Sequence, residues 1–282
     1  MSKCHLEIDI AKCMNCNNCV VATKDEFSGN EFPGYAKPYA SGTGDLIKIN
    51  RHDRGSGSDI DVNYIPVMCN HCDEAPCIKG TDDGSIYKRK DGVTMIDPVK
   101  SLGRKEIIDL CPYGAIRWNE EHKVPQIWYF DTHLLDQGHK TPRCVDACPT
   151  GAMLFHKCSD AEMNVIVKEN DLKVLGVHMG TKPRVYYRNL HLYSSHFIGG
   201  TVLSSSNGQS KNITGAKVLL YKGEKIKNET LTDDFGIFRF DKIPDGETGY
   251  TVKVESLGCG SKSTAIGGAI TDSLNLVINL NS

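Results

Sequence analysis

Cysteine supplies the chemistry of this chain. Cys13, Cys16 and Cys19 in "KCMNCNNC" stand at the C-x2-C-x2-C spacing of a bacterial ferredoxin, but four residues on, where that run calls for a fourth cysteine, the sequence has Thr23. "CNHCDEAPC" supplies a second group, Cys69, Cys72 and Cys77, again with a threonine, Thr81, four residues later. Two single cysteines precede proline: Cys111 before Pro112, and Cys148 before Pro149 in "RCVDACPTGA", which also contains Cys144. In ferredoxins with two clusters, the cysteine before proline ligates the cluster of the other run. The physical reason is local: a three-cysteine loop wraps one face of a cubane, and the chain then leaves without supplying the fourth thiolate. Proline fixes φ and has no N–H, so the neighbouring amides are free to point at cluster sulfurs. Two three-cysteine loops and two Cys-Pro donors make two complete sets of four.

Zinc is the competing reading, since four-cysteine zinc sites commonly use paired C-x2-C hooks. Three ligands from one loop and a lone Cys-Pro fit iron–sulfur cubanes better. Cys4, Cys158 and Cys259 have no partners at ligand spacing and read as ordinary thiols. His71, inside the second loop, is expected to hydrogen-bond near the metal and tune it, or to contact a partner subunit.

The elements that must position these thiols are short. Residues 1–158 carry eleven of the twelve cysteines and strand-like runs such as "LEIDI", "SIYKR", "VTMID" and "AIRWN", with Asp91-Gly92 as a hairpin turn signal. Residues 159–196 read as a connector. It starts with a short helix whose capping box is Ser159 and Glu162, and "KPRVYYRNLHLY" after it reads as extended. From 197 to 282, short alternating runs separated by "TDDFG" and "PDGETG" indicate an antiparallel β-sandwich of about seven strands without a catalytic constellation.

Totals narrow the function. The 282 residues suffice for two domains with their own cores. With 33 basic and 35 acidic residues, net −2, no basic excess points to nucleic acid or an anionic membrane. No apolar run is long enough to span a bilayer, and "MSKCHLEIDI" lacks the pattern of a signal peptide. The expected location is cytoplasmic, where reduced cysteines serve as metal ligands.

Taken together, the four cysteine groups resemble the four-motif iron–sulfur subunits of the DMSO-reductase family of molybdenum enzymes. In that family motifs one and four pair, as do two and three, giving four cubanes. The resemblance therefore implies one [4Fe–4S] site of Cys13, Cys16, Cys19 and Cys148, and another of Cys69, Cys72, Cys77 and Cys111. It places a third cluster on Thr81, Ser101, Arg104 and Ile107, where every ligand is missing. A fourth falls on Thr23, Trp128, Asp131 and Cys144, where one thiol survives. Losses grouped in this way look like two clusters deleted as units. Cys144 is then a relic and Trp128 a filler of vacated volume. A cluster on Asp131 and Cys144, with His133 nearby in sequence, would lack further ligands.

"IDIAKCMNCNNC", "DVNYIPVMCNHCDEAPC", "DLCPYGAIRWNEE", "HLLD" and "GTKPRVYYRNL" are further similar to the small subunits of pyrogallol–phloroglucinol transhydroxylases and resorcinol hydroxylases, across nearly the whole chain. Trp128, Asp131 and Thr23 depart from that pattern, implying one cluster fewer. The likeness implies an α+β fold, a double ferredoxin-like domain followed by the sandwich. It also implies a heterodimer whose large catalytic subunit holds molybdenum on two pterin guanine dinucleotides and acts on phenolic rings. This chain would carry electrons and no catalytic residue. The rivals are a relay subunit of another molybdenum reductase, and a largely structural subunit stapled by two residual clusters.

Overall fold

Strand Lys3–Asp9 organises the cysteine-rich part. Cys4, His5, Leu6, Glu7 and Ile8 are all buried, so this strand is covered on both faces. It pairs antiparallel with Met153–Cys158, Ile8 opposite Met153, and parallel with Val185–Arg188, Leu6 opposite Val185. Buried Glu7 is satisfied by His156 at 3.0 Å and Arg188 at 2.7 Å, as a carboxylate inside a sheet requires.

The computed structural model describes residues 1–56, 59–206 and 209–281. It divides into two compact units, Met1–Arg51 with Tyr64–Leu190, and His52–Asn63 with His191–Ser282. Residues 159–190, expected as a connector, belong to the first unit. The helix Asp160–Glu169 has the full capping box between Ser159 and Glu162, and Val185 and Tyr187 are buried in the three-stranded sheet.

The rest of the first unit is small hairpins and short helices. Ile86–Lys88 pairs with Thr94–Ile96, and Arg117–Asn119 with Val124–Gln126. The first hairpin turns at Gly92, whose φ of 81° lies in the left-handed region. Ile86, Ile96, Ile107, Ile116 and Ile127 form a core around Cys69, with Cys77 and Cys111 packed against it. Among the described residues no helix exceeds ten residues. None is long and apolar enough to cross a membrane.

The second unit has two four-stranded sheets. In one, His196–Ser206 is flanked by Gln209–Asn212, Ile237–Ile243 and Leu274–Asn281; the other has the order Lys225–Leu231, Lys217–Lys222, Tyr250–Ser256, Gly260–Ala265. Alternate residues of both enter one core, including Val202, Val218, Leu220, Phe238, Phe240, Val252, Val254 and Ile278. Two details correct the expectation of about seven antiparallel strands. Eight strands make up these two sheets among the described residues, and Leu274–Asn281 runs parallel to His196–Ser206. The last strand returns beside the unit's first long strand. That pairing is non-local, so alternation along either strand does not reveal its direction.

Candidate metal centres

The first thiol set is assembled by the central strand. After Asp9 caps a short 3₁₀ turn, accepting from the Ala11 amide at 3.1 Å, the chain enters the Cys13–Cys19 loop. Asn15 and Asn17 take positive φ, 57° and 60°, which bends the loop around its three cysteines. Cys19 lies in the first turn of helix Asn18–Phe27. Cys148 arrives from the other end of the unit. It follows the short helix Arg143–Asp146, and Asp9 N–H donates to Ala152 O at 2.7 Å. Sheet register thus brings the fourth thiol to the first three.

Cys13, Cys16, Cys19 and Cys148 line one hollow together with Ile49, Pro66, Ala152 and Met153. They ring a space and do not meet at a point: among the described residues, no three His, Cys, Asp or Glu side chains converge tightly enough for a single metal ion. Burial pushes the Cys19 thiol up to about 12, and Cys13 adds to the rise. Cys13 is also raised, by burial first, with Cys148 and Cys16 contributing. Cys148 differs. Burial works against it, yet the Thr150 hydroxyl and the amides of Met153, Ala152 and Thr150 hold it below the usual thiol range. An apolar hollow with mutually repelling thiols and amides directed at one of them suits a group that takes four thiolates and spreads their charge.

The second set is buried deeper. Cys69 and Cys72 flank His71, whose φ is 47°, and Cys77 sits in the short helix Pro76–Lys79, begun by proline. Cys111 follows the 3₁₀ helix Lys105–Leu110, and its sulfur accepts from the Ala115 amide at 3.4 Å. Burial, then Cys111, drives Cys69 well up, and the same pair of causes lifts Cys77 to about 11. Those mutual effects show that the four thiols of this set, too, are gathered together.

Three neighbours of this set carry no signal in the sequence. Lys88 donates to His71 O at 2.8 Å and Cys72 O at 2.6 Å, pinning the ligand loop. Burial lowers its ammonium below the ordinary lysine value. Burial raises the Cys72 thiol, and a hydrogen bond from the Thr181 hydroxyl offsets part of the rise. Arg184, 1% exposed, grips Asp73 at 2.7 and 2.8 Å. Their alternation within strands and loops is ordinary; only tertiary packing brings them to the thiols.

His71 is fully buried and presents no ring to a partner subunit. Its Nδ1 accepts from the Thr94 amide at 3.1 Å, and burial, helped by Lys88, keeps it neutral. The same ring nitrogen lies 3.9 Å from the Cys69 sulfur, inside the second thiol set.

The comparisons with known proteins fit this geometry. Residues 60–158 match the model of the 4Fe-4S dicluster domain family. The pyrogallol hydroxytransferase small subunit of Pelobacter acidigallici is 39% identical over 270 residues, covering 94% of this chain and 95% of that one. The chain belongs to the family of that small subunit. The arsenate respiratory reductase iron-sulfur subunit of Shewanella sp. (strain ANA-3) is 28% identical over 230 residues, covering 64% of this chain and 93% of its own. A sulfite dehydrogenase subunit of Allochromatium vinosum is 31% identical over 200 residues, covering 66% of this chain and 83% of its own.

Seven of the eight positions that the resemblance assigned to two missing clusters make ordinary packing contacts, and Asp131 stands apart as a buried carboxyl with an unpartnered oxygen. Thr23, Thr81 and Ser101 each turn the hydroxyl back to the carbonyl four residues earlier, at 2.9, 3.0 and 2.6 Å. Ile107 joins the isoleucine core, and Arg104 donates to Ser85 at 2.8 Å and Glu106 at 2.9 Å. Trp128 is wholly buried, 5.6 Å from the His71 ring and 4.5 Å from Phe130. Cys144 and Asp131 are also fully buried, and the nearby carboxyl adds to the rise of the Cys144 thiol. His133 is engaged elsewhere, with Glu26 at 2.9 Å and Tyr129 at 3.0 Å.

Proposed function

We propose that this chain is the electron-transfer iron–sulfur subunit of a heterodimeric molybdopterin enzyme that performs hydroxyl transfer or hydroxylation on phenolic aromatics. The observation that carries it is the gathering of eight cysteines into two sets of four, in a chain alike along its length to a hydroxytransferase small subunit. Cys13, Cys16, Cys19 and Cys148 would hold one [4Fe–4S] cluster; Cys69, Cys72, Cys77 and Cys111 would hold the other. Such clusters, when bound, accept and release single electrons.

The chain's own residues set the conditions. Amides beside Cys111 and Cys148 stabilise negative charge on those sulfurs, the isoleucine core gives the second set an apolar setting, and Lys88 places a cation beside it. Molybdenum on two pterin guanine dinucleotides would belong to a large partner subunit, which alone would act on substrate. We assign the second unit, read as a β-sandwich domain that also takes in His52–Asn63, to packing within that cytoplasmic assembly. A second reading, a structural subunit stapled by its clusters, is favoured by one feature: Trp128 and Asp131, both buried, stand at positions where the resemblance would put ligands of a further cluster.

The test is iron and acid-labile sulfide on protein purified without oxygen, with electron paramagnetic resonance (EPR) after dithionite reduction. About eight of each per chain is expected for two cubanes. About twelve would refute the two-cluster assignment, and zinc in place of iron would end the electron-transfer reading.

A further inference from the structure

Asp131 is a carboxyl in a place that does not suit a carboxylate. It is fully buried; Oδ2 accepts one bond, from the Arg143 amide at 2.9 Å, and Oδ1 has no partner. An ionised carboxylate buried with one hydrogen bond is costly and resolves by taking a proton. The one nearby cation, Arg143, compensates it only in part, against burial and the carboxyls of Glu26 and Asp146. The Arg143 guanidinium is drawn to Glu26, and to Asp25 at 3.0 Å. The other titratable groups around it are Glu26, Asp146, Tyr129 and Cys144, and none supplies positive charge. Burial accordingly lifts its carboxyl to about 7. Cys144, which adjoins Asp131, is also close enough to Cys19 to feel its charge. The carboxyl therefore stands one buried thiol away from the first ligand set.

We propose that Asp131 is a redox-linked proton acceptor: it takes up a proton when the group held by Cys13, Cys16, Cys19 and Cys148 is reduced, and releases it on oxidation. The inference rests on that set holding a cluster, as proposed above. The reductant, dithionite or the partner's molybdenum centre, supplies one electron. Solvent supplies one proton, which bonds to Asp131 Oδ1. Glu26, His139, Arg143 and Asp146 line an open groove on this side of the unit, and the Arg143 backbone joins it to the carboxyl. The physical cause is charge: an added electron in a buried setting raises the affinity of a nearby carboxylate for a proton.

The experiment is an EPR-monitored redox titration of the complex containing the full chain, repeated across about a unit of pH on either side of neutrality. The midpoint potential of the first cluster should rise as pH falls, by up to about 59 mV per tenfold change in proton activity for one proton per electron. Asp131→Asn, which mimics the protonated acid, should remove that slope and hold the potential near its acid limit. Cys144→Ala should keep the slope. A flat wild-type profile, a slope that persists in Asp131→Asn, or one lost in Cys144→Ala would overturn the proposal. If Asp131→Asn does not fold, infrared difference spectra of the wild type decide: a protonated-carboxyl band growing on reduction supports the assignment, and its absence refutes it. Loss of the EPR signal at every pH would refute the cluster reading too, whereas an intact signal with a flat profile overturns this inference alone.

Discussion

Cys144 and Cys148 are four residues apart, one turn of a short helix and its exit, yet they face opposite chemistry. The thiolate, not the thiol, binds metal. At Cys148, the Thr150 hydroxyl and three amides favour the thiolate against burial. At Cys144, burial, then Asp131 and Cys19, push the thiol well above its ordinary range. Burial raises Cys19 as well, so position decides: Cys148 lines the hollow with Cys13, Cys16 and Cys19, and Cys144 does not. Cys148→Ala should therefore lower iron from about eight to about four per chain, while Cys144→Ala leaves it unchanged. Iron analysis of the two variants checks this, and equal losses would return Cys144 to the ligand set. Much of this was legible beforehand, because the Cys-Pro pairing marks Cys148 and leaves Cys144 unmarked. What the sequence hid was the surroundings: Lys88 and Thr181 lie far along the chain from the loop they hold, and no spacing rule reaches them.

Elements carry the sites by pairing, and pairing is where sequence reading thins out. Alternation exposes a strand such as "YTVKVES", since every second residue enters the core. It says nothing about which strand lies beside it. "FIGG" did hold a clue, because glycine inside a strand often marks close backbone approach. A Cβ on Gly200 would collide with the Leu276 carbonyl of the parallel neighbour. Gly200→Ala should destabilise the second unit by about 1–3 kcal/mol, the usual range for forced overpacking. Thermal unfolding should show the loss while iron content stays at its wild-type value. An unchanged midpoint would mean that the two strands separate more easily than their eight paired positions suggest.

At the scale of the whole molecule, the two units share out the work unevenly along the chain. The second unit takes residues His52–Asn63 as well as the C-terminal segment, so a cut at 197 would not separate them cleanly. Arg54 shows why. It is 1% exposed, donates to Ser195 O at 3.0 Å, pairs with Asp61 and Asp241, and, like Arg239, lies over the Phe197 ring. Removing only residues 197–282 would leave Asp61 but strip Asp241 and the Phe197 ring from a buried guanidinium, which is destabilising when a buried charge loses part of its compensation. The fair deletion removes 191–282 and also replaces 52–63 with a short turn between Arg51 and Tyr64. All eight ligand cysteines stay in the first unit, so that variant should keep about eight iron per chain but copurify less of its catalytic partner. Iron analysis and the yield of complex are the two readouts. Normal partner binding with lost iron would reverse the roles assigned to the units, because the metal sites would then depend on strands that contribute no thiol to them.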